Sequence, residues 1–297
     1  MTSLLGTILN QSTYAVTMAG GYLYYSGYST VTYKYNPSAS WTLTSANNTT
    51  CTVGTPSNPC IAAQTWGKYQ YYSGLGSDGQ RYLATSNERQ TAAGGNISWI
   101  NPTNNSTSTY RNGPPAITRY SPRDFARLHS GAAFAYSSNA DTGSFGCTNT
   151  VGQVFIFTVA SQSVTATYTP VAGSGNQGKV VETRDGYLLG LIQNYPSTGQ
   201  YTVYKVNEST GAQVSWSPET LSGSPFGSVS SYDQQLLLGP DGAIWLYDAK
   251  NIWRINSGTG AVSIYASLSG VTRLAFLGND LYAVAGSNLY WIPSAAQ

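Results

Sequence analysis

The segment that decides the fold reads Val203-Tyr-Lys-Val-Asn-Glu-Ser-Thr-Gly-Ala-Gln-Val-Ser-Trp216. A second segment, Ile252-Trp-Arg-Ile-Asn-Ser-Gly-Thr-Gly-Ala-Val-Ser-Ile-Tyr265, follows the same plan. In each, a run of β-branched and aromatic residues ends at Asn, a small polar turn contains Thr-Gly, and a further run ends in an aromatic residue. Runs of this composition favour β-strands, and Asn, Ser, Thr and Gly favour the turns between them.

The first run of this plan recurs six times along the chain, as Val31–Asn36, Asn96–Asn101, Val154–Val159, Tyr201–Asn207, Asn251–Asn256 and Asn288–Pro293. A turn residue precedes the strand before each of them: Gly21, Gly79, Gly131, Gly186, Gly242 and Asp280. A repeat of roughly 50 residues with several strands per unit is typical of a β-propeller. We therefore predict an all-β propeller of six blades. Five or seven blades are the alternatives, because residues 45–80 and 137–152 are irregular.

The sixth repeat is shorter than the others, because the chain stops at Gln297, soon after Pro293. The N-terminal segment Leu4-Leu-Gly-Thr-Ile-Leu9 has the composition of the missing strand. We expect residues 3–9 to pair with the blade of residues 272–293, because a ring sealed in this way leaves no open sheet edge. Residues 1–297 then form a single domain.

The two segments quoted first resemble the blade motif of the quinoprotein-like and YVTN-type propeller families, in which Thr-Gly precedes a final strand ending in an aromatic residue. The resemblance covers part of the chain and implies the fold. Propellers of one blade type serve unrelated functions, so it implies no activity. The residues that would hold a quinone cannot be placed in this sequence, and we predict no cofactor.

The second strong signal is the scarcity of charge. Only 9% of the residues are Asp, Glu, Lys or Arg, against roughly 25% in ordinary domains. Because only twelve residues are acidic, few carboxylates can be protonated as the pH falls, and we expect acid to destabilise the fold little. The composition resembles that of surface and virion proteins of thermoacidophilic archaea and their viruses; the alternative is a secreted β-protein of any origin.

Charge and hydropathy also bear on the partners. A net charge of +2 without a concentrated basic face argues against nucleic acid. No apolar run approaches the ~20 residues of a membrane-spanning helix, so we expect no direct membrane insertion. The N-terminus lacks the basic and apolar regions of a signal peptide. A virion protein would reconcile this start with an external composition, because it leaves the cell inside an assembled particle; a secreted chain numbered after processing is the alternative.

Two cysteines bracket a turn-rich loop. We expect a disulfide between Cys51 and Cys60, which would stabilise so short a loop by about 2–3 kcal/mol and would persist outside a reducing cytosol; two free thiols are the alternative. Three scattered cysteines and one histidine do not have zinc-ligand spacing, so we predict no metal site.

Asn-x-Ser/Thr sequences are candidate glycan acceptors in a secreted chain. We take as candidates Asn47, Asn48, Asn96, Asn104, Asn105 and Asn207.

The innermost strand of each blade lines the central channel of a propeller. We place these strands at Ser12–Thr17, Ala62–Tyr69, Phe125–His129, Lys179–Thr183, Gln235–Leu238 and Arg273–Leu277. Their charged residues are candidates for a ligand site in the channel: Arg127, His129, Glu182, Arg184 and Arg273. A histidine and a glutamate flanked by arginines could act as an acid–base pair on an anion. The structural alternative is that these side chains tie neighbouring blades together.

Two functions remain open at this point. The first is a non-enzymatic structural or attachment propeller on the outside of a virus particle or cell envelope. Its partners would be other structural proteins of a larger assembly, or a cell-surface protein or glycan. The alternative is a secreted hydrolase or lyase with its site at the mouth of the channel. No residue is assigned a catalytic role, because the sequence contains no Gly-x-Ser-x-Gly elbow and no complete sialidase-type box.

Overall fold

The structure is a computed structural model. It describes residues 13–27, 31–38, 60–64, 69–86, 95–111, 117, 120–140, 151–174, 178–193, 201–221, 235–248 and 250–296. Every regular element in these ranges is a β-strand.

The strands form six sheets, and within each sheet they follow one another in chain order. The first sheet contains β1 (Thr13–Ala19), β2 (Tyr22–Gly27), β3 (Val31–Tyr35) and β4 (Cys60–Gln64). The second contains β5 (Tyr69–Leu75), β6 (Arg81–Ser86), β7 (Gly95–Ile100) and β8 (Thr107–Tyr110). The third contains β9 (Tyr120–Arg127), β10 (Ala133–Ala140), β11 (Val154–Thr158) and β12 (Ser163–Tyr168).

The remaining strands follow the same plan until the last sheet. The fourth sheet contains β13 (Val180–Glu182), β14 (Tyr187–Gln193), β15 (Tyr201–Asn207) and β16 (Glu219–Leu221). The fifth contains β17 (Leu237–Leu238), β18 (Ile244–Tyr247), β19 (Asn251–Ile255) and β20 (Val262–Ser267). The sixth has three strands in the described part of the chain: β21 (Val271–Leu277), β22 (Asp280–Ala285) and β23 (Asn288–Ile292). The segment Leu4–Leu9 lies outside the described residues, so its pairing with this sheet stays a prediction.

Tight turns join the first two strands of several sheets. The Asp-Gly turns place Gly79, Gly186 and Gly242 at φ values of 78°, 74° and 78°, a region that glycine enters without steric cost. In the last of them the Asp241 carboxylate also accepts a hydrogen bond from the backbone N–H of Ala243, at 3.1 Å. These turns confirm the glycine positions expected from the repeat.

The chain divides into two compact units, each with its own core. The first comprises residues 1–136, 140–149 and 155–165. Its core is aromatic: the rings of Phe125 and Phe134 stack with centroids 4.8 Å apart, and Phe134 lies 5.1 Å from Tyr82. Each such ring pair contributes about 0.5–1.5 kcal/mol beyond its area burial.

The second unit comprises residues 137–139, 150–154 and 166–297. One core cluster packs Trp245 and Tyr247 of the fifth sheet with Leu274 and Leu281 of the sixth. A second cluster packs the fourth and fifth sheets, and Leu191 and Val203 belong to it. The alternation of side chains along each strand brings these apolar residues to the faces between sheets.

Two strand positions predicted from the sequence are wrong. The predicted innermost strand Ala62–Tyr69 begins inside β4, which is the fourth strand of the first sheet, and ends where β5 starts. Trp216 does not end a strand but lies in a turn, where the N–H of Ser217 donates to the carbonyl of Val214. Pro218 follows Ser217 and has no backbone N–H to donate to a β-sheet hydrogen bond. Strand β16 begins at the next residue, Glu219.

Candidate functional site

Arg127 and His129 lie at the end of β9, in the first unit, and both are exposed. The Arg127 Nε donates to the carbonyl oxygen of Leu75 at 2.6 Å, and Nη1 lies 3.4 Å from the carbonyl of His129. A Cβ at Gly131 would lie 2.4 Å from Arg127 Nη2. The Arg127 guanidinium therefore packs against the turn at Gly131 and donates hydrogen bonds to two backbone carbonyls.

Glu182 and Arg184 lie at the corresponding strand end in the fourth sheet. Glu182 is the last residue of β13 and is half-buried, while Arg184 is exposed in the turn that follows. The Arg184 Nη2 donates to the carbonyl oxygen of Pro240, in the turn after β17. This arginine, like Arg127, reaches a backbone carbonyl of another sheet.

Arg273 lies on a different part of its strand. It is the third residue of β21 and pairs with Val284, whereas the turn into β22 begins after Leu277. Its Nη1 donates to the carbonyl oxygen of Thr272 at 2.7 Å and to the Tyr247 hydroxyl at 3.4 Å. Glu182 and Arg184 lie where β13 runs into its turn, whereas Arg273 lies near the opposite end of β21. The second unit therefore does not place Arg273 at the same end of the strands as Glu182 and Arg184.

A set of cations on the third strands was not predicted. The Nζ of Lys34, on β3, donates to the carbonyl of Pro102 at 2.7 Å and to Asn105 Oδ1 at 3.1 Å. It also lies 3.8 Å from the centroid of the Tyr22 ring. Burial lowers the pKa of this ammonium group. Lys34 thus joins the first sheet to a turn of the second.

The fourth sheet repeats this arrangement with Lys205 on β15. Its Nζ lies 2.6 Å from Asp185 Oδ2, donates to the carbonyl of Ser257 at 2.9 Å, and lies 4.9 Å from the Tyr187 ring centroid. Burial opposes ionisation of Asp185, but the hydrogen bonds from Lys205 and Thr183 outweigh it and hold the pKa of that carboxyl below its usual range. Lys205 therefore joins its own hairpin to a turn of the next sheet.

Arg254 takes the same position on β19. Its Nε donates to Asp241 Oδ2 at 2.9 Å, and its guanidinium lies 6.0 Å from the centroid of the Trp245 ring. The sequence carried a signal for this set, since each cation directly follows an aromatic residue on the third strand: Tyr33-Lys34, Tyr204-Lys205 and Trp253-Arg254. A single aromatic–cation pair in the sequence is indistinguishable from the alternation of a strand with one solvent-exposed face, so one pair alone does not reveal the set.

Gln235 makes a further contact that was not predicted. Its side-chain Nε2 donates to the carbonyl of Leu274, and its Oε1 accepts from the N–H of the same residue, both at 3.0 Å. The amide thus bonds both backbone groups of one β21 residue and ties the fifth sheet to the sixth.

The candidate modification sites divide into described and undescribed residues. Asn47, Asn48 and Cys51 lie outside the described residues, and so does the side chain of Cys60, so the disulfide stays a prediction. Asn96 is fully buried in β7, where its Oδ1 accepts a hydrogen bond from Ser98 Oγ, so its amide is not presented at the surface. Asn104 is exposed in the turn before β8.

Two further candidate acceptors are held by their own turns. Asn105 Oδ1 accepts the hydrogen bond from Lys34, and Asn207 Oδ1 accepts from the backbone N–H groups of Ser209 and Thr210. Glycan occupancy at these positions stays a prediction.

The described ranges contain neither a candidate metal site nor a candidate membrane-spanning helix. No group of three or more His, Cys, Asp and Glu side chains there could hold a metal ion. Nor does that part of the chain contain a helix long and apolar enough to cross a bilayer.

No protein-family model and no curated protein matches the chain. Solved structures do match. One is the extracellular domain of a one-component system from B. thetaiotaomicron, with 11% identity, a TM-score of 0.60, and coverage of 96% of this chain and 35% of that chain. Another is a β-propeller domain from Myceliophteria thermophila, with 11% identity, a TM-score of 0.52, and coverage of 94% and 83%.

A third solved structure is a gluconolactonase from Xanthomonas campestris, with 12% identity, a TM-score of 0.52, and coverage of 95% and 85%. The chain spans about a third of the length of the first of these neighbours. At such identities the similarity concerns the fold. Together with the six sheets it confirms the predicted all-β propeller fold.

Proposed function

We propose that this chain is a non-enzymatic contact module that works outside the cell, as a component of a virus particle or cell envelope. Its partners would be other structural proteins of the assembly, or a cell-surface protein or glycan. One of its structural neighbours is the extracellular domain of a one-component system and another is a gluconolactonase. The fold is therefore compatible with both binding and catalysis, and the choice between them depends on the side chains of the site.

The observation that carries the proposal is how the inner-strand arginines are used. Arg127 bonds the carbonyls of Leu75 and His129, Arg184 bonds the carbonyl of Pro240, and Arg273 bonds the carbonyl of Thr272. An arginine that recognises an anion presents its planar fork to that anion. These guanidinium groups instead donate to the backbone, as expected of side chains that hold turns and sheets in place.

The low charge supports the same proposal. With 9% charged residues the surface keeps its polarity through hydroxyl and amide groups, whose hydration does not change as carboxylates are protonated. The acidic groups that the structure describes are used within the fold, as Asp185, Asp241 and Asp248 illustrate. A surface of this kind suits a module exposed to variable external conditions.

The decisive experiment locates the protein. A culture of the source cells is separated into purified particles, envelopes, medium and cytosol, and each fraction is cross-linked and examined by mass spectrometry. We expect the chain in the particle or envelope fraction, cross-linked to another structural protein. Recovery in the cytosol, or as a free monomer in the medium, would contradict the proposal.

The enzymatic alternative has its own test. Purified protein is assayed against hydrolase and lyase substrates of anionic glycan type, together with His129→Gln, Glu182→Gln and the control Lys250→Gln. We expect no turnover by any of the four chains. Turnover that survives in the control and disappears in the other two variants would establish an enzyme in place of a contact module.

A further inference from the structure

Four Asn-x-Ser/Thr acceptor sequences lie in the described part of the chain, and the fold treats them differently. They begin at Asn96, Asn104, Asn105 and Asn207. A glycan joined to asparagine is bulky and polar, so the acceptor has to present its amide nitrogen to solvent, together with the hydroxyl residue two positions later. A position that buries either group cannot carry a glycan in the folded chain.

Asn96 fails both requirements. Its side chain is fully buried in β7, and Ser98, the hydroxyl residue of the same acceptor sequence, is 1% exposed. The Ser98 hydroxyl donates to Asn96 Oδ1 at 3.0 Å and lies 3.0 Å from the hydroxyl of Thr109 on the next strand. A glycan at Asn96 would therefore have to open the sheet.

The acceptor sequence of Asn207 is packed against a neighbouring sheet. The Tyr168 hydroxyl donates to the carbonyl oxygen of Glu208 at 2.6 Å, and a Cβ at Gly211 would lie 2.2 Å from Cδ1 of the Tyr168 ring. Asn207 itself is only partly exposed, and its Oδ1 accepts a hydrogen bond from the backbone N–H of Ser209. An enzyme would meet this turn with an aromatic ring already packed against it.

Asn105 takes part in a contact between the first two sheets. Its Oδ1 accepts a hydrogen bond from the Lys34 ammonium group at 3.1 Å, and its own φ is 60°. Lys34 is only 8% exposed. The amide of Asn105 is therefore directed at a buried cation and serves the packing of the two sheets.

Asn104 meets both requirements. Asn104 and Ser106, the hydroxyl residue of its acceptor sequence, are both exposed. Asn104 Oδ1 accepts a hydrogen bond from the backbone N–H of Ser106 at 2.9 Å, which is the local turn that asparagine forms with the residue two positions on. This bond engages the amide oxygen, whereas a glycan is joined to Nδ2, so the turn and the glycan do not compete for one atom.

The turn that presents Asn104 is held on two sides. The backbone N–H of Asn101 donates to the carbonyl of Ser106 at 2.9 Å and closes the turn. Lys34 reaches the same turn from the first sheet and donates to the carbonyl of Pro102 at 2.7 Å. Because the turn is ordered in advance, an enzyme that binds it loses little conformational entropy.

We propose that Asn104 is the glycan acceptor among these four asparagines. In the transfer, Asn104 Nδ2 forms a bond to the anomeric carbon of an oligosaccharide carried on a lipid diphosphate. The bond from that carbon to the diphosphate oxygen breaks, the lipid diphosphate leaves, and one amide proton is released. The inference rests on the proposed function, because the chain has to meet a membrane-bound donor on its way out of the cell.

The first test does not depend on where the protein resides. The full chain is produced unmodified in a host without N-glycosylation, folded, and incubated with the lipid-diphosphate oligosaccharide and a transferase that accepts Asn-x-Ser/Thr. Mass spectrometry of its peptides should locate the glycan on Asn104 and not on Asn96, Asn105 or Asn207. Short synthetic peptides of the four acceptor sequences are the control: the Asn96 peptide should be modified, since only the fold buries that asparagine.

Two hydroxyl variants decide between the adjacent asparagines, because Ser106 belongs to the acceptor sequence of Asn104 and Thr107 to that of Asn105. Ser106→Ala should abolish modification of the turn, and Thr107→Ala should leave it unchanged. Ser106→Ala keeps the backbone N–H that bonds Asn104, and the urea midpoints of both variants confirm that they fold. The opposite pattern, a glycan on folded Asn96 or Asn207, or an unmodified turn whose peptide is modified, would overturn the inference.

Protein from the source cells supplies the second test. In the particle or envelope fraction, we expect the peptide that contains Asn104 to carry a glycan. An unmodified Asn104 in that fraction would overturn the inference and leave the proposed function standing. Recovery of the chain in the cytosol would instead contradict the proposed function, and the transfer assay would then decide whether Asn104 is the acceptor.

Discussion

The ammonium group of Lys205 lies 2.6 Å from Asp185 Oδ2, and the two side chains differ in burial: that of Lys205 is 3% exposed and that of Asp185 is 55% exposed. The pair thus joins a buried cation to an anion that water can reach. Lys205 also donates to the carbonyl of Ser257, so the cation connects its own hairpin with the next sheet. The same design occurs at Lys34, which bonds the Pro102 carbonyl.

This difference in burial predicts unequal effects of removing the two partners. Asp185→Asn removes the anionic partner of the buried Lys205 ammonium group. It should lower the free energy of unfolding by about 1–2 kcal/mol. Lys205→Met keeps the volume, removes the buried charge and leaves Asp185 in water, so its cost should be smaller. Urea unfolding measures both. Lys250→Met, at an exposed lysine, is the control, and a larger loss for Lys205→Met than for Asp185→Asn would contradict the prediction.

The carboxyls of Asp185 and Asp241 predict how stability depends on pH. Burial opposes ionisation at both, but hydrogen bonds from Lys205 and Thr183 at the first, and from Trp245 and Arg254 at the second, hold each pKa below the usual 3.8. The unfolded chain therefore binds protons first as the pH falls. The stabilisation is fully present above pH 4 and is lost as the pH falls through the folded-state pKa values.

Melting temperatures measured between pH 7 and pH 2 check this sign. The wild-type curve should be flat down to about pH 4 and fall below it. The Asp185→Asn, Asp241→Asn double variant should melt lower at neutral pH and lose less on acidification. A parallel fall of both curves would assign the acid sensitivity to other groups.

Tyr24 and Tyr82 predict unequal effects of removing a buried hydroxyl group. Both residues are fully buried, and the Tyr82 hydroxyl donates to Asp78 Oδ2 at 2.8 Å. The Tyr24 hydroxyl has no hydrogen-bond partner among the described residues, and burial raises its pKa to about 12. Tyr24→Phe should therefore be neutral or stabilising, whereas Tyr82→Phe should cost about 1 kcal/mol. Denaturant unfolding of the two variants measures the difference, and a loss at Tyr24 equal to that at Tyr82 would reveal an unseen partner.

Gly190 on β14 faces the ring of Tyr204 on the neighbouring strand. A Cβ at Gly190 would lie 2.0 Å from Tyr204 Cζ, inside the core. Gly190→Ala should therefore destabilise the chain by about 1–3 kcal/mol through overpacking. Combination with Tyr204→Leu should recover part of that loss, because the clashing ring is gone. Gly258→Ala, in an exposed turn, should stay within about 0.5 kcal/mol; thermal unfolding of the three chains tests the set.

The repeat determined the fold from sequence. The runs Tyr201–Asn207 and Asn251–Asn256 are the third strands of their sheets, and the turns at Gly186 and Gly242 have the predicted left-handed backbone. These features are local, because strand propensity and positive φ belong to a few adjacent residues. The misplaced strand at Ala62–Tyr69 shows the limit: the hydrogen bonds to β3 that assign residues 60–64 to the first sheet join residues far apart in the chain.

The sequence by itself determined which residues form strands, which form turns, and how little charge the surface carries. Only the tertiary structure decided what those few charges do. The strand pattern alone marks Arg127 as a cation that a ligand could use. In the folded chain, however, its Nε lies 2.6 Å from the carbonyl oxygen of Leu75, 52 residues earlier in the sequence. Partners of this kind are brought together by sheet packing and not by sequence spacing, so a pattern can mark a charged side chain without showing whether it binds a ligand or the chain's own backbone.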